Sequence, residues 1–162
     1  MNRTWLLLLL LWGSLSACTK SNSIVAQVRA QAVIDNKAID NYLNSNGLTA
    51  LRVDTTDVRY LIDTPGTGNA LYTSSTQVTL GYVSKLLTTG TVVAQTDNFH
   101  PTYFLGQTIR GWQLGIPKVA KDGTITLFVP SRYAYGPYPQ AQSGLPANAV
   151  LIFKIKVYNI IN

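Results

Sequence analysis

The spacing of apolar residues changes twice along this chain and divides it into three stretches. Leu6 to Trp12 is an unbroken apolar run, closed by Gly13 and a string of small residues. From Ile24 to about Leu48 the spacing becomes three, four and seven, so that Ile24, Val28, Ala32, Ile39, Tyr42 and Leu43 share one helical face. Asp35 is expected as the N-cap of a second helical piece and Gly47 as the C-terminal stop. The stretch therefore reads as one or two short helices that pack on a domain or hold it off a membrane, too short for a long dimerisation stalk.

From Val58 the period is two. Val58 to Ile62 reads as a strand, and Pro65 to Asn69 as a loop. Val78, Leu80 and Tyr82 alternate with polar or small residues. Thr88-Thr89-Gly90 is a turn before a short strand, Thr91 to Ala94. Ile109 to Ile116 is the one helix candidate of this stretch. Asp122-Gly123 is a hairpin signal, followed by alternation at Ile125, Leu127 and Val129. Val150 to Ile160 is a long last strand, with Leu151, Phe153, Ile155 and Val157 on one face and Lys154 and Lys156 on the other. An antiparallel sheet covered by one short helix is an α+β layout.

Composition adds constraints. Hydrophobic residues make up 46% of the 162, enough for one core, and charged residues only 12%. The net charge of +6 comes from singly scattered Lys and Arg, which argues against nucleic acid as a partner. The first apolar run is too short to span a bilayer and, after Arg3, reads as a secretory signal. It ends in Leu15-Ser16-Ala17-Cys18, which looks like a bacterial lipobox, with Cys18 the lipidated residue. The alternative is an ordinary cleaved signal with an incidental cysteine. Cys18 is the only cysteine, so no internal disulfide competes for it. The expected organisation is a signal peptide over 1–17, a lipidated Cys and tether over 18–23, a helical segment over 24–57 and a domain over 58–162. The expected location is the bacterial cell envelope, lipid-anchored and either periplasm-facing or surface-exposed, as a monomer. His100 is the only histidine and has no acidic neighbour in sequence, which argues against a catalytic triad or a metal site. Asp54, Asp57, Asp63, Asp97 and Asp122 read as loop, cap and turn residues.

Five segments, in order, resemble the FKBP-type peptidyl-prolyl isomerases. They are Val78-Thr79-Leu80-Gly81-Tyr82, Gly90-Thr91-Val92-Val93-Ala94, the run from Leu105 to Trp112, the run from Phe128 to Gly136, and the run from Leu145 to Phe153. The resemblance implies a twisted antiparallel sheet wrapped around a short helix, with an apolar pocket between them. It implies Trp112 as the pocket floor, and Tyr82, Ile109, Tyr135 and Phe153 with it as the catalytic set. Val93, Tyr103, Thr108 and Leu145 would be further substrate-binding walls. Without that context Trp112, Phe153 and Tyr82 read as core residues.

The implied chemistry needs no cofactor, metal or acid–base group. Resonance opposes rotation about a peptide bond with a barrier of about 18–20 kcal/mol, and an uncatalysed Xaa–Pro bond exchanges over tens to hundreds of seconds. An apolar, water-poor cavity disfavours the polar planar amide relative to the twisted one. By resemblance, the Ile109 N–H and the Tyr135 hydroxyl would hold substrate carbonyls. The function implied is isomerisation of proline-containing polypeptides to assist folding of exported proteins. The alternatives are a proline-peptide or unfolded-chain binding module with weak or no turnover, and a scaffold lipoprotein.

Departures from the family bear on that choice. Val93-Ala94 stand where the family usually has Phe-Asp. The first change removes about 1–2 kcal/mol of apolar contact, and the second leaves the Tyr82 hydroxyl in need of another partner or water. Other alignments would offer Thr96 or Asp97. Pro117 is expected to cut the short helix, and the Pro137 to Gly144 loop to alter access to the pocket.

Overall fold

The computed structural model describes residues 16–68 and 71–162. The signal-peptide reading falls on residues 1–17 and so lies almost wholly outside them. Helix α1 (Ser16–Ser45) is followed by β1 (Leu51–Arg52), β2 (Arg59–Thr64), β3 (Gln77–Leu86), β4 (Val92–Gln95), β5 (Thr102–Phe104), helix α2 (Arg110–Gly115), β6 (Thr124–Val129) and β7 (Leu151–Ile161). The strands form one antiparallel sheet in the order β1-β2-β6-β7-β3-β4, with β5 paired to the same edge of β3 that β4 uses further along. The expected α+β architecture holds.

Alternation along the central strands separates two cores. Leu80, Ile125, Leu127, Val129, Leu151, Phe153 and Ile155 face α2 in the main core. Phe128 and Ile152 face the other way and meet Ile39 and Leu43 of α1 in a second cluster. Two glycines, Gly111 and Gly115, let α2 lie close on β6. A Cβ at Gly111 would stand 2.5 Å from Val129 Cγ1, and one at Gly115 would collide with the Leu127 side chain.

Three expectations are corrected. The N-terminal stretch is one 30-residue helix, about 45 Å long, because nothing between Ser16 and Ser45 breaks it. The expected tether over 18–23 is part of that helix, and the expected face is buried only at its C-terminal end. Ile39 and Leu43 are in the core, whereas Ile24 and Val28 are exposed. Asp35 is no N-cap but a buried mid-helix residue. Asp122-Gly123 is a turn with Asp122 at positive φ, but it leads into β6 from a 3₁₀ turn rather than joining two hairpin strands. Its amides interlock with β7, Asp122 N–H donating to Val157 O and Val157 N–H to Gly123 O.

Other sequence signals agree with the structure. Gly47 follows the last turn of α1 at φ +63°. Leu48 N–H donates to Leu43 O at 2.9 Å and Gly47 N–H to Asn44 O at 3.2 Å, the pairing of a Schellman stop. Pro117 sits in a 3₁₀ turn, Ile116–Lys118, directly after α2 ends. Asp54 and Asp97 are turn residues at positive φ. Asp57 is also an ion-pair node, reached by Arg132 and by Arg52 at 3.6 Å.

Candidate active site

Strand alternation and the start of α2 bring the site together. On β3, Tyr82 and Ser84 are two residues apart and share a face, with Phe153 of β7 on one side and Ala94 of β4 on the other, each in register with Ser84. Tyr103 comes from β5, and Thr108 and Ile109 from the approach to α2, whose first turn carries Trp112. The long β6–β7 connection supplies Tyr135, Ser143 and Leu145. These side chains enclose a cavity of about 340 Å³, within the range that takes a small peptide segment or drug-sized molecule.

All nine residues named from the sequence line this one cavity: Tyr82, Val93, Tyr103, Thr108, Ile109, Trp112, Tyr135, Leu145 and Phe153. Trp112 is 6% exposed and forms the floor. Three rings stand edge-on to it, Tyr82 at 5.0 Å, Phe153 at 5.4 Å and Tyr103 at 5.8 Å between centroids. Each such contact adds about 0.5–1.5 kcal/mol beyond area burial, so the indole is pinned in orientation. The Thr108 hydroxyl donates to Leu105 O at 2.7 Å, and Gln113 Nε2 donates to Thr108 O at 2.7 Å. These bonds fix the turn into α2. The Ile109 N–H has no acceptor among the described residues and is available at the wall.

Sequence reasoning missed Ser84, Gln107 and Ser143 as lining residues. Ser84 was findable, two residues beyond Tyr82 on a period-two strand. Ser143 lies in an irregular loop with no period to follow.

The cavity carries no charged side chain. Ala94, the position where the resemblance implies a carboxylate, lines it with a methyl group. Neither alternative alignment substitutes for it. The Thr96 hydroxyl is engaged with the β3 backbone, accepting from Tyr82 N–H at 2.9 Å, and Asp97 accepts from Gln95 Nε2 at 2.7 Å in the exposed turn beyond β4. The Tyr82 hydroxyl has instead the Tyr103 hydroxyl as a neighbour. Burial first, and the nearby Tyr103 second, push the Tyr82 hydroxyl above its usual range. Burial and then Tyr82 do the same for Tyr135. The hydroxyl-bearing rings of Tyr82, Tyr103 and Tyr135 all line the cavity. His100 is not in the cavity but packs at a 59° tilt against Tyr158, centroids 3.9 Å apart. No cluster of metal-ligating side chains occurs among the described residues.

The comparisons with known proteins agree with this geometry. The family model for "FKBP-type peptidyl-prolyl cis-trans isomerase" matches residues 68–158, more than half of the chain. A curated relative, the FKBP-type peptidyl-prolyl cis-trans isomerase FkpA of Buchnera aphidicola subsp. Schizaphis graminum, is 32% identical over 104 residues, covering 64% of this chain and 40% of its own length. The chain thus spans less than half of that relative. Among solved structures, a peptidyl-prolyl cis-trans isomerase from Pseudomonas syringae pv. tomato superposes with a TM-score of 0.69 at 19% identity, covering 83% of this chain and 96% of that one. FkpA from Escherichia coli superposes with a TM-score of 0.67 at 22% identity, covering 99% of this chain and 73% of that one. These two likenesses establish the fold, α1 included in the second. With its sequence match, its sheet topology and its aromatic-floored cavity, the chain belongs to the FKBP-type peptidyl-prolyl cis-trans isomerase family.

Proposed function

We propose that this chain is a peptidyl-prolyl cis-trans isomerase that assists the folding of exported polypeptides from a lipid anchor in the bacterial cell envelope. The observation that carries the catalytic part is the uncharged cavity floored by Trp112, with the Ile109 N–H and the Tyr135 hydroxyl at its walls. A proline ring packs on the indole. The two donors hold substrate carbonyls on either side of the bond that turns. Water exclusion and the lack of charge weaken the planar, charge-separated amide relative to the twisted one, which has lost that separation. Tyr82 and Phe153 set the tilt of the indole, while Val93, Tyr103, Thr108 and Leu145 close the walls.

The anchoring part rests on Leu15-Ser16-Ala17-Cys18. A diacylated cysteine buries two chains at about 0.8 kcal/mol per methylene, which holds a protein on a membrane far longer than one chain does. Detergent partitioning of the full chain and of Cys18→Ser tests it: equal partitioning of the two into the aqueous phase refutes the anchor.

The enzymatic part is tested by NMR exchange spectroscopy on an Xaa–Pro peptide. The expected result is exchange above the uncatalysed rate, lost in Trp112→Ala. Peptide binding without faster exchange would instead identify a binding module, the reading that Ala94 favours because it removes the family's carboxylate.

A further inference from the structure

Helix α1 lies outside the matched residues 68–158, yet one of its side chains is wired to the cavity. Asp35 is 1% exposed and so is Ser131, on the turn after β6. One carboxylate oxygen of Asp35 accepts from both Ser131 N–H at 2.9 Å and Ser131 Oγ at 2.6 Å. The other accepts from Gln31 Nε2 at 2.7 Å. No cation pairs with this carboxylate among the described residues; it is held by neutral donors alone. Burying a carboxylate is costly unless its lone pairs are matched, and charge-assisted bonds of this length are the strong kind.

Ser131 passes the constraint on. Its carbonyl accepts from Ala134 N–H at 2.9 Å and from Gly136 N–H at 2.8 Å. Tyr135 is the residue between those two amides. Its flanks are unusual backbone, Ala134 at φ −116°, ψ −105° and Gly136 at φ +60°. A short loop with such dihedrals holds its form only when its hydrogen bonds over-determine it. Asp35 fixes the donors of Ser131, Ser131 fixes both neighbours of Tyr135, and Tyr135 lines the cavity.

We propose that Asp35 is a positioning residue for the reaction, acting from α1 through Ser131 to set the Tyr135 hydroxyl, so that the N-terminal helix is part of the working site. The inference builds on the isomerase reading, with Tyr135 as the group that holds a substrate carbonyl.

The test is a double-mutant cycle in the full chain between Asp35→Ala and Tyr135→Phe, read as kcat/KM for Xaa–Pro exchange, with circular dichroism establishing that each variant is folded. With Tyr135 present, Asp35→Ala is expected to lower kcat/KM about tenfold, mostly in kcat, because misplacing one orienting group by a fraction of an ångström costs that order. With Tyr135→Phe, the same change is expected to cost under about twofold, since nothing remains to position. Asp35→Asn, which keeps one acceptor and the shape, should recover part of the loss, and serves as the cycle's partner if Asp35→Ala does not fold. Equal losses in the two backgrounds overturn the proposal and leave Asp35 a stability residue. If the parent accelerates no exchange, the isomerase reading fails by itself. The cycle is then read on the Kd of the Xaa–Pro peptide, and the same coupling or its absence decides.

Discussion

Removing one oxygen from the cavity tests how the site works without its family carboxylate. Tyr103→Phe deletes the hydroxyl that neighbours that of Tyr82. The ring should stay in place, because its edge-on contact with Trp112 at 5.8 Å does not involve the oxygen. Tyr82 is held the same way, at 5.0 Å and 75°. The change is thus confined to one hydroxyl at the cavity wall, whose hydrogen bonding is worth about 0.5–1.5 kcal/mol and nearer the lower end. If the Tyr82 hydroxyl must be held for turnover, a loss of about 1 kcal/mol corresponds to roughly a fivefold fall in kcat/KM. Global stability should move by under about 1 kcal/mol. Exchange spectroscopy on an Xaa–Pro peptide, with urea melts in parallel, separates the two quantities. Adding Ala94→Asp to Tyr103→Phe should restore part of the rate by returning an acceptor to the β4 wall. An unchanged rate in Tyr103→Phe would refute the idea that the tyrosine hydroxyl replaces the carboxylate.

Three further outcomes follow from the same geometry. The isomerisation rate should be flat from about pH 5 to 9, because the cavity has no carboxylate, histidine or lysine to titrate; a sigmoidal step between about pH 5 and 9 would contradict this. Burial pushes the Tyr72 hydroxyl, which donates to Val119 O at 2.9 Å, up to about 12. A raised folded-state value means stability that is complete below about pH 10 and lost as the pH climbs through the folded value, so urea midpoints should hold up to about pH 10 and then fall, and Tyr72→Phe should weaken that decline. Gly115→Ala should destabilise the fold by about 1–3 kcal/mol, because the new methyl collides with Leu127 and pushes α2, with Trp112, off β6; unchanged stability would mean that α2 shifts freely.

What the sequence revealed, and what it hid, follows from the range of the forces involved. Alternation at Leu80, Ile125, Leu127 and Ile155 is set by each strand's own pleat, so those residues were legible one strand at a time. The strand β5, only three residues long between Pro101 and Leu105, is too short to show a period, yet it carries Tyr103. The cavity set was legible through the family resemblance, since alternation alone reads Trp112, Phe153 and Tyr82 as core residues. Ser143 depends on how an irregular loop folds back, with Gln140 and Leu145 bridged to each other, and no local rule anticipates that. Asp35 shows the same limit. Aspartate is a poor helix-interior residue, which is why it reads as a cap, and its actual partner is 96 positions away in the chain.

A cavity without a charged side chain is intelligible from the reaction itself. No proton moves when an amide turns, so no group in the site needs to ionise. What the site must supply is a dry floor and fixed donors. A carboxylate can help by orienting a tyrosine, but it also brings a charge that holds water in the cavity. With Ala94, a polar neighbour left for the Tyr82 hydroxyl within the cavity is Tyr103. Asp35, the one buried carboxylate among the described residues, stands behind the Tyr135 loop, bonded to Ser131. There its charge is matched by three donors and does not face the substrate. This arrangement keeps the cavity free of charged side chains and leaves the buried carboxylate outside its lining. Its turnover should therefore respond more to the packing of α1 against Phe128 and Ser131 than to added salt, which screens only exposed charge.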